Sequence, residues 1–288
     1  MRGADGIASR TSNQLTNARG ACYGFPPAMS INTPPVSPAF DLQEALRHLS
    51  ERDDVLRELI AATKAFAIDA EMGQSPYEVL AEAIVYQSIS GKAAATIYGR
   101  IKALGENDRP PSPDKMLKIP APKLRKAGLS GAKVLAMKDL AKKAITGIVP
   151  THEEALRLSD EELVERLVSV RGIGAWTVEM FLIFRLGRPD VLPIHDLGVK
   201  KGWSVAYGKK HMPKPQELLN FGERWRPYRT VASWYMWRAF ERAGYKVTNK
   251  IRPKPVRKKN KRKTRARKKG SSTSRSGRIP DRSFPGHG

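Results

Sequence analysis

The chain has 288 residues, a single cysteine (Cys22) and a formal net charge of +24, from 52 lysines and arginines against 28 acids. One thiol excludes an intramolecular disulfide framework, a cysteine-based zinc finger and an iron–sulfur cluster, and it suits a reducing compartment. The charge calls for a polyanionic partner, most simply nucleic acid, and no apolar run reaches membrane-spanning length or forms a signal-peptide core.

Residues 1–39 are rich in Gly, Ala, Ser, Asn and Pro without any sustained period, so disorder is expected there, and Met29 is a candidate start. From Asp41 to about Lys64, Leu42, Leu46, Leu49, Leu56, Leu59 and Ile60 recur at helical spacing and predict one helix. Ser75-Pro76-Tyr77-Glu78 opens a second, with Ser75 as cap, Pro76 at the first position and Glu78 completing a capping box. Gln87-Ser88-Ile89-Ser90-Gly91 interrupts it, and helix resumes from Lys92 to Leu104. A polar, proline-rich loop over 105–114 leads to a short helical pair from Met116 to Ala127. Gly128-Leu129-Ser130 precedes a helix from Lys133 to Ile145; Ser130 with Lys133 holds either a phosphate or simply the helix cap. Thr151 and Glu154 form a further capping box.

The stretch from Leu163 to Gly202 organises the rest. Ser159 and Glu162 start an amphipathic helix whose apolar positions are Leu163, Leu167, Val168 and Val170. Arg171-Gly172-Ile173-Gly174 then turns the chain, and the two glycines permit positive φ and close approach to a bulky partner. A second helix opens at Ala175-Trp176-Thr177, runs apolar through Phe184 and stops at Leu186-Gly187. Its free N–H groups suit a phosphate. A loop, Arg188 to Pro193, leads to Ile194-His195-Asp196-Leu197, with Asp196 where a third helix starts. That helix carries Lys200, Lys201, Lys209 and Lys210 and breaks at Pro213-Lys214-Pro215; a last helical region spans Phe221 to Ala243. No alternating β pattern and no internal repeat occurs between 40 and 245. From Lys246 onward, 17 lysines and arginines face one acid, Asp281, in a stretch with nothing to bury.

The segments LVSVRGIGAWTVEMFL and LPIHDLGVKKG, in that order, resemble the helix-hairpin-helix, Gly/Pro-rich loop and catalytic aspartate of the HhH-GPD superfamily of DNA glycosylases, most nearly its 3-methyladenine type. VLAEAIVYQSISGKAAATIYGRI, RKAGLSGAKVLAMKDLA and the block from Arg224 to Trp237 resemble the family as well. The resemblance implies an all-α, two-lobed domain over 40–245, its hairpin unit at about 160–187, flanked by a disordered 1–39 and a disordered basic tail, 246–288. Larger bacterial members carry an added N-terminal sheet domain, so the compact all-helical form is expected here.

By resemblance, Asp196 is the catalytic carboxylate. Against it stands plain helix capping. Trp176 and Trp237 line a base pocket or merely pack in the core, and Met180 stands where relatives often have a pocket tyrosine. Trp176 occupies the position of the Schiff-base lysine of bifunctional relatives, so no lyase step is expected. Arg171, Gly172, Ile173 and Gly174 clamp a phosphate, and the carbonyls of Val168, Val170 and Ile173 offer a seat for Na+ or K+; no other cofactor is expected. The break in the second helix faces the gap left by a flipped base. Ser88 aligns with the usual bulky wedge, leaving Ile89 or Gln87 to fill the gap, unless Gln87 only caps the helix. Lys200 and Lys201 lie along DNA. His195 has no second ligand at metal-binding spacing, and Glu179 is assigned a solvent or salt-bridge role. The expected activity is excision of alkylated purines from double-stranded DNA by a monomer, in a bacterial cytoplasm and nucleoid or a eukaryotic nucleus. Action on deaminated or oxidised bases, and non-catalytic binding of damaged DNA, are the alternatives.

Overall fold

The computed structural model describes residues 40–63, 65–68 and 74–244. The expectations for 1–39, Cys22, Met29, Lys64 and the basic stretch from Lys246 fall outside these residues.

The expected helix from Asp41 is two helices, α1 (Leu42–Arg52) and α2 (Asp54–Ala62). Asp53 breaks them apart in an extended conformation, φ −148° and ψ 105°, and its Oδ1 accepts from the Val55 and Leu56 amides. Its Oδ2 accepts from the Tyr207 hydroxyl at 2.5 Å and the Trp225 indole at 3.0 Å. A leucine repeat marks the buried face of a helix. It does not reveal that a carboxylate on that face leaves the helix to meet distant donors.

α3 (Pro76–Tyr86) has both bonds of its capping box, and nearly every side chain on it is buried. α4 (Gly91–Lys102) is capped by Ser90, α5 (Pro113–Lys118) by Ser112, and α6 (Ala121–Ala127) stops at Gly128, whose φ of 115° suits glycine. α7 (Gly131–Ile145) starts at Ser130, and its Lys138 Nζ donates to the carbonyls of Met116, Leu117 and Ile119, which fastens the end of α5. α8 (His152–Arg157) and α9 (Asp160–Val168) begin with the expected Thr151/Glu154 and Ser159/Glu162 boxes. α10 (Ala175–Phe184) and α11 (Leu197–Ala206) follow. The final helical region starts earlier than Phe221: α12 (Pro215–Gly222) opens directly after Lys214, with Pro215 at its first position. A 3-10 turn (Glu223–Trp225) then leads to α13 (Arg229–Arg242).

The helices pack as two groups on one continuous apolar core. α3 to α7 form one; α1, α2, α11, the 3-10 turn and α13 form the other, with α9 and α10 paired as the hairpin unit. Leu80, Ile84, Met137, Leu167, Val199 and Met236 have no exposed surface. Among the described residues there is no strand, and no helix is long and apolar enough to cross a membrane.

Candidate active site

Asp196 is the residue before α11, and its Oδ1 accepts from the Val199 amide at 2.8 Å. The capping role is therefore present, but it uses only part of the carboxylate. Oδ1 also accepts from Trp237 Nε1 at 2.8 Å, and Oδ2 accepts from Trp176 Nε1 at 2.8 Å. The carboxyl group is buried, with three N–H donors aimed at it. A carboxylate only accepts, so this is the bonding pattern of an anion.

Two glycines of α11 allow this geometry. A Cβ on Gly198 would stand 2.7 Å from Trp237 Cδ1 and 3.1 Å from Asp196 Oδ1. On Gly202, one turn later, it would stand 1.8 Å from the Met236 carbonyl oxygen. α13 thus lies directly against the α11 backbone, and Trp237 reaches Asp196 through the space that a side chain would fill. The preceding loop is fixed from the same side. Asp190 pairs with Arg226 at 2.6 Å and Arg229 at 2.7 Å. Thr230, fully buried, donates through Oγ1 to the Arg188 carbonyl at 2.6 Å and accepts from the Val191 amide at 3.0 Å.

The tryptophans were expected to line a pocket or to pack; each also holds the carboxylate. Trp237 is nearly enclosed and stacks on Phe184, centroids 5.7 Å apart, while Trp176 is half-buried and keeps an open portion. Met180 has no exposed surface and belongs to the core, so its place as a pocket residue is corrected: it shares a helix face with Trp176, but core packing covers that face one turn along α10. Glu179 is corrected too. Among the described residues it has no salt-bridge partner, its Oε2 is sealed from solvent without a hydrogen-bond partner, and burial pushes its carboxyl up from 4.5 to about 7, with the Asp196 charge adding to the rise.

Of the two hairpin glycines, one takes the positive φ that the sequence permits and the other is extended, with φ −106°. Gly172 adopts φ 82°, and Gly174 precedes α10 with no side chain capping the helix. Arg171, Gly172 and Gly174 are exposed, while Ile173 is buried and anchors the turn. α7 holds the hairpin from behind: Asp139 Oδ2 accepts from the Arg171 amide at 2.7 Å, and Lys143 bridges Asp139 at 2.9 Å and the Ser169 carbonyl. Neither Asp139 nor Lys143 stands out in the sequence, because both read as solvent positions of α7. Among the described residues, the Val168 and Ile173 carbonyls accept no backbone bond, and that of Val170 accepts from the Ile173 amide at 3.0 Å.

The break after α3 is tied to the hairpin. Gln87 Nε2 donates to the Gly172 carbonyl at 2.8 Å, so its side chain does more than cap α3. Ser88 stands exposed with φ 59°, a left-handed conformation that serine seldom adopts, and Ile89 packs partly on the core. Ser130 caps α7. Lys133 turns inward: its Nζ donates to the Val85 carbonyl at 2.7 Å, and burial lowers its pKa, which corrects its expected phosphate contact. Lys201 lies over the Phe240 ring at 5.5 Å, which places its ammonium against α13, whereas Lys200 is partly exposed. Among the described residues no cluster of His, Cys, Asp and Glu is arranged to hold a metal ion.

Known proteins resemble this chain in sequence and in fold. A family profile described as "HhH-GPD superfamily base excision DNA repair protein" matches residues 81–227. DNA-3-methyladenine glycosylase 1 of Schizosaccharomyces pombe is 37% identical over 214 residues, covering 74% of this chain and 93% of the relative. An alkylbase DNA glycosidase-like protein of the same yeast, mag2, is 30% identical, covering 68% of this chain and 93% of its own length. The solved structure of the S. pombe 3-methyladenine glycosylase Mag1 with abasic DNA superposes with a TM-score of 0.61 over 68% of this chain and 95% of that one, at 37% identity. A Bacillus halodurans DNA-3-methyladenine glycosidase does so with a TM-score of 0.64 at 29% identity, covering 72% of this chain and 93% of that one. By profile, sequence and fold, the chain belongs to the HhH-GPD superfamily of base excision DNA repair proteins.

Proposed function

We propose that this protein is a monofunctional DNA glycosylase that flips alkylated purines of the 3-methyladenine type out of duplex DNA and hydrolyses their N-glycosidic bond with the help of Asp196. The observation that carries the reading is the buried Asp196 carboxylate, held by two indoles and a helix amide. The names of the S. pombe relatives, and the abasic DNA bound to one of them, support it.

A base stacked in duplex DNA is out of reach, and extruding it costs roughly a few kcal/mol. The uncapped start of α10 and the hairpin amides hold a phosphate without reading sequence. A Na+ or K+ on the Val168, Val170 and Ile173 carbonyls would add positive charge beside that phosphate, and the free Val168 and Ile173 carbonyls fit such an ion. Ser88, exposed beside Gln87, faces the gap. The open part of Trp176 offers an electron-rich face to a cationic purine.

The glycosidic bond breaks with its electron pair going to the base, which neutralises the base's charge and leaves positive charge on the sugar. The Asp196 carboxylate faces that developing charge from a preorganised, dry position. Water adds to the sugar C1′ and gives its proton to Asp196 and then to solvent. The products are the free base and an abasic site. α10 carries no lysine, so the helix supplies no amine for a Schiff base. The basic stretch 246–288 adds sequence-independent attraction to DNA; deleting 247–288 should flatten the salt dependence of binding.

The test is release of free 3-methyladenine from methylated DNA by the wild type and by Asp196→Asn. Release by the wild type alone is the expected result. Equal release by both removes Asp196 from the chemistry, and no release despite tight DNA binding overturns the proposed activity.

A further inference from the structure

We propose that Gln87 is a positioning residue that joins the turn between α3 and α4 to the hairpin, so that the two loops engage one stretch of damaged DNA as a unit. The proposal rests on the glycosylase reading above.

Gln87 and Gly172 stand 85 residues apart in sequence, and the side-chain amide of one donates to the carbonyl of the other at 2.8 Å. Among the described residues that carbonyl accepts no backbone hydrogen bond. The Gln87 backbone is engaged separately: its N–H donates to the Ala83 carbonyl at 3.2 Å and ends α3. Capping therefore leaves the side chain to the hairpin. Each loop is also fastened to α7, where Lys133 holds the Val85 carbonyl, Asp139 the Arg171 amide and Lys143 the Ser169 carbonyl. Those bonds tie each loop to a common support, whereas the Gln87 bond ties one loop to the other.

Both loops are open to solvent beside that bond. Ser88 is exposed and held at φ 59°, a conformation that serine keeps only when its surroundings compel it. Its neighbours are fixed on either side, Gln87 by the hairpin and Ile89 by the core. On the hairpin, Arg171, Gly172 and Gly174 are exposed. Gly91, which opens α4, and Gly174 have no positive φ, and a Cβ on either would meet nothing within 4 Å. The packing of the chain leaves room for a side chain at both, which suits close approach of a bulky partner on each side of the tether.

A phosphate held by the hairpin fixes where the DNA backbone lies. A turn bonded to that hairpin is carried to the same place, and its exposed tip meets the step from which a base has been extruded. Without the bond, the turn must be ordered at the moment the gap opens. That cost falls on the complex with the extruded base alone. An undamaged duplex opens no gap and is held by the hairpin, which α7 keeps in shape. Gln87 thus favours the gapped complex through geometry, without itself touching the DNA.

The experiment compares binding of an undamaged duplex with binding of the same duplex carrying a tetrahydrofuran abasic analogue. The full chain is used as wild type, as Gln87→Met, which keeps the side chain's length without its donor, and as Gln87→Glu, whose added charge acts on both duplexes alike. Circular dichroism melts establish that each is folded. Both variants should lose about three- to tenfold of the preference for the analogue, while Gln87→Met binds the undamaged duplex within about twofold of wild type. A 2-aminopurine opposite the analogue reports entry of the turn, and its fluorescence change at saturating protein should shrink in both variants. An unchanged preference and signal would overturn the proposal. So would an equal loss on both duplexes, which would mean that the bond shapes the hairpin alone, or a wild type with no preference for the analogue. Release of free 3-methyladenine by the same wild-type preparation decides the glycosylase reading separately from these outcomes.

Discussion

Trp237 Nε1 donates to Asp196 Oδ1 at 2.8 Å across the contact of α13 with α11, and Trp176 Nε1 donates to the other oxygen at the same distance. The indoles fix the direction of the carboxylate as well as bounding the space around it. Trp176→Phe and Trp237→Phe keep an aromatic ring and remove one donor each. A hydrogen bond to a charged group contributes about 1.5–3 kcal/mol, so each change should slow single-turnover base release by roughly tenfold to a hundredfold. Affinity for undamaged DNA should hold. Unchanged rates for both would show that the bonds do not orient the reacting group.

The glycines of α11 separate packing from chemistry. Gly202→Ala places a methyl 1.8 Å from the Met236 carbonyl oxygen, where neither helix can yield. A cost of about 3 kcal/mol or more is expected, read as a Tm lower by roughly 6–12 °C. Gly198→Ala meets the Trp237 ring, which can tilt away but only by weakening its bond to Asp196. That variant should lose base release by about tenfold or more, with a smaller fall in Tm than Gly202→Ala.

Stability should depend on pH through Glu179. Its folded value, about 7, lies above the ordinary 4.5, so the folded state holds the proton that the unfolded state releases. The contribution is fully present below about pH 4.5 and is lost as pH rises through about 7. Glu179→Gln should remove this slope, becoming more stable relative to wild type between pH 5 and pH 8 by at most about 3 kcal/mol. Denaturant melts at the two values would measure it. Asp196→Asn should act on the same group by removing a neighbouring negative charge, moving the Glu179 titration down in carboxyl-resolved infrared spectra.

The hairpin depends on α7. Burial raises the Asp139 carboxyl, but the Arg171 amide and the Lys143 ammonium outweigh it and hold the group below its ordinary value. Its stabilising contribution is present above the ordinary carboxylate range and is lost as pH falls through the lowered value. Asp139→Asn weakens both of those bonds. Binding to undamaged duplex should weaken, with little change in the rate of the chemical step at saturating enzyme. Equal DNA affinity for variant and wild type would show that the hairpin keeps its shape unaided.

Lys133 gives a test in the opposite direction. With its ammonium on the Val85 carbonyl, Lys133→Met should leave the slope of log affinity against log salt unchanged, because no phosphate contact is lost. Its Tm should fall as the end of α3 loses a donor. A slope smaller by about one unit would restore it as a DNA contact.

The sequence determined the helices whose start and stop signals are local. Ser75/Glu78, Thr151/Glu154 and Ser159/Glu162 cap as their spacing dictates, because a capping bond spans only three residues. The hairpin glycines and the helix-starting Asp196 were legible for the same reason. Tertiary structure decided what the side chains of these elements meet. Asp53 left the leucine repeat for donors more than 150 residues away. Lys133 turned inward to α3, Gln87 joined the hairpin, and the two tryptophans became the donors to Asp196. The sequence reads Glu179 as a solvent or salt-bridge residue because helical periodicity gives the direction of a side chain only relative to its own axis. Whether that direction ends in water or within reach of the Asp196 charge depends on how α10 packs against the elements around it, which no local spacing encodes.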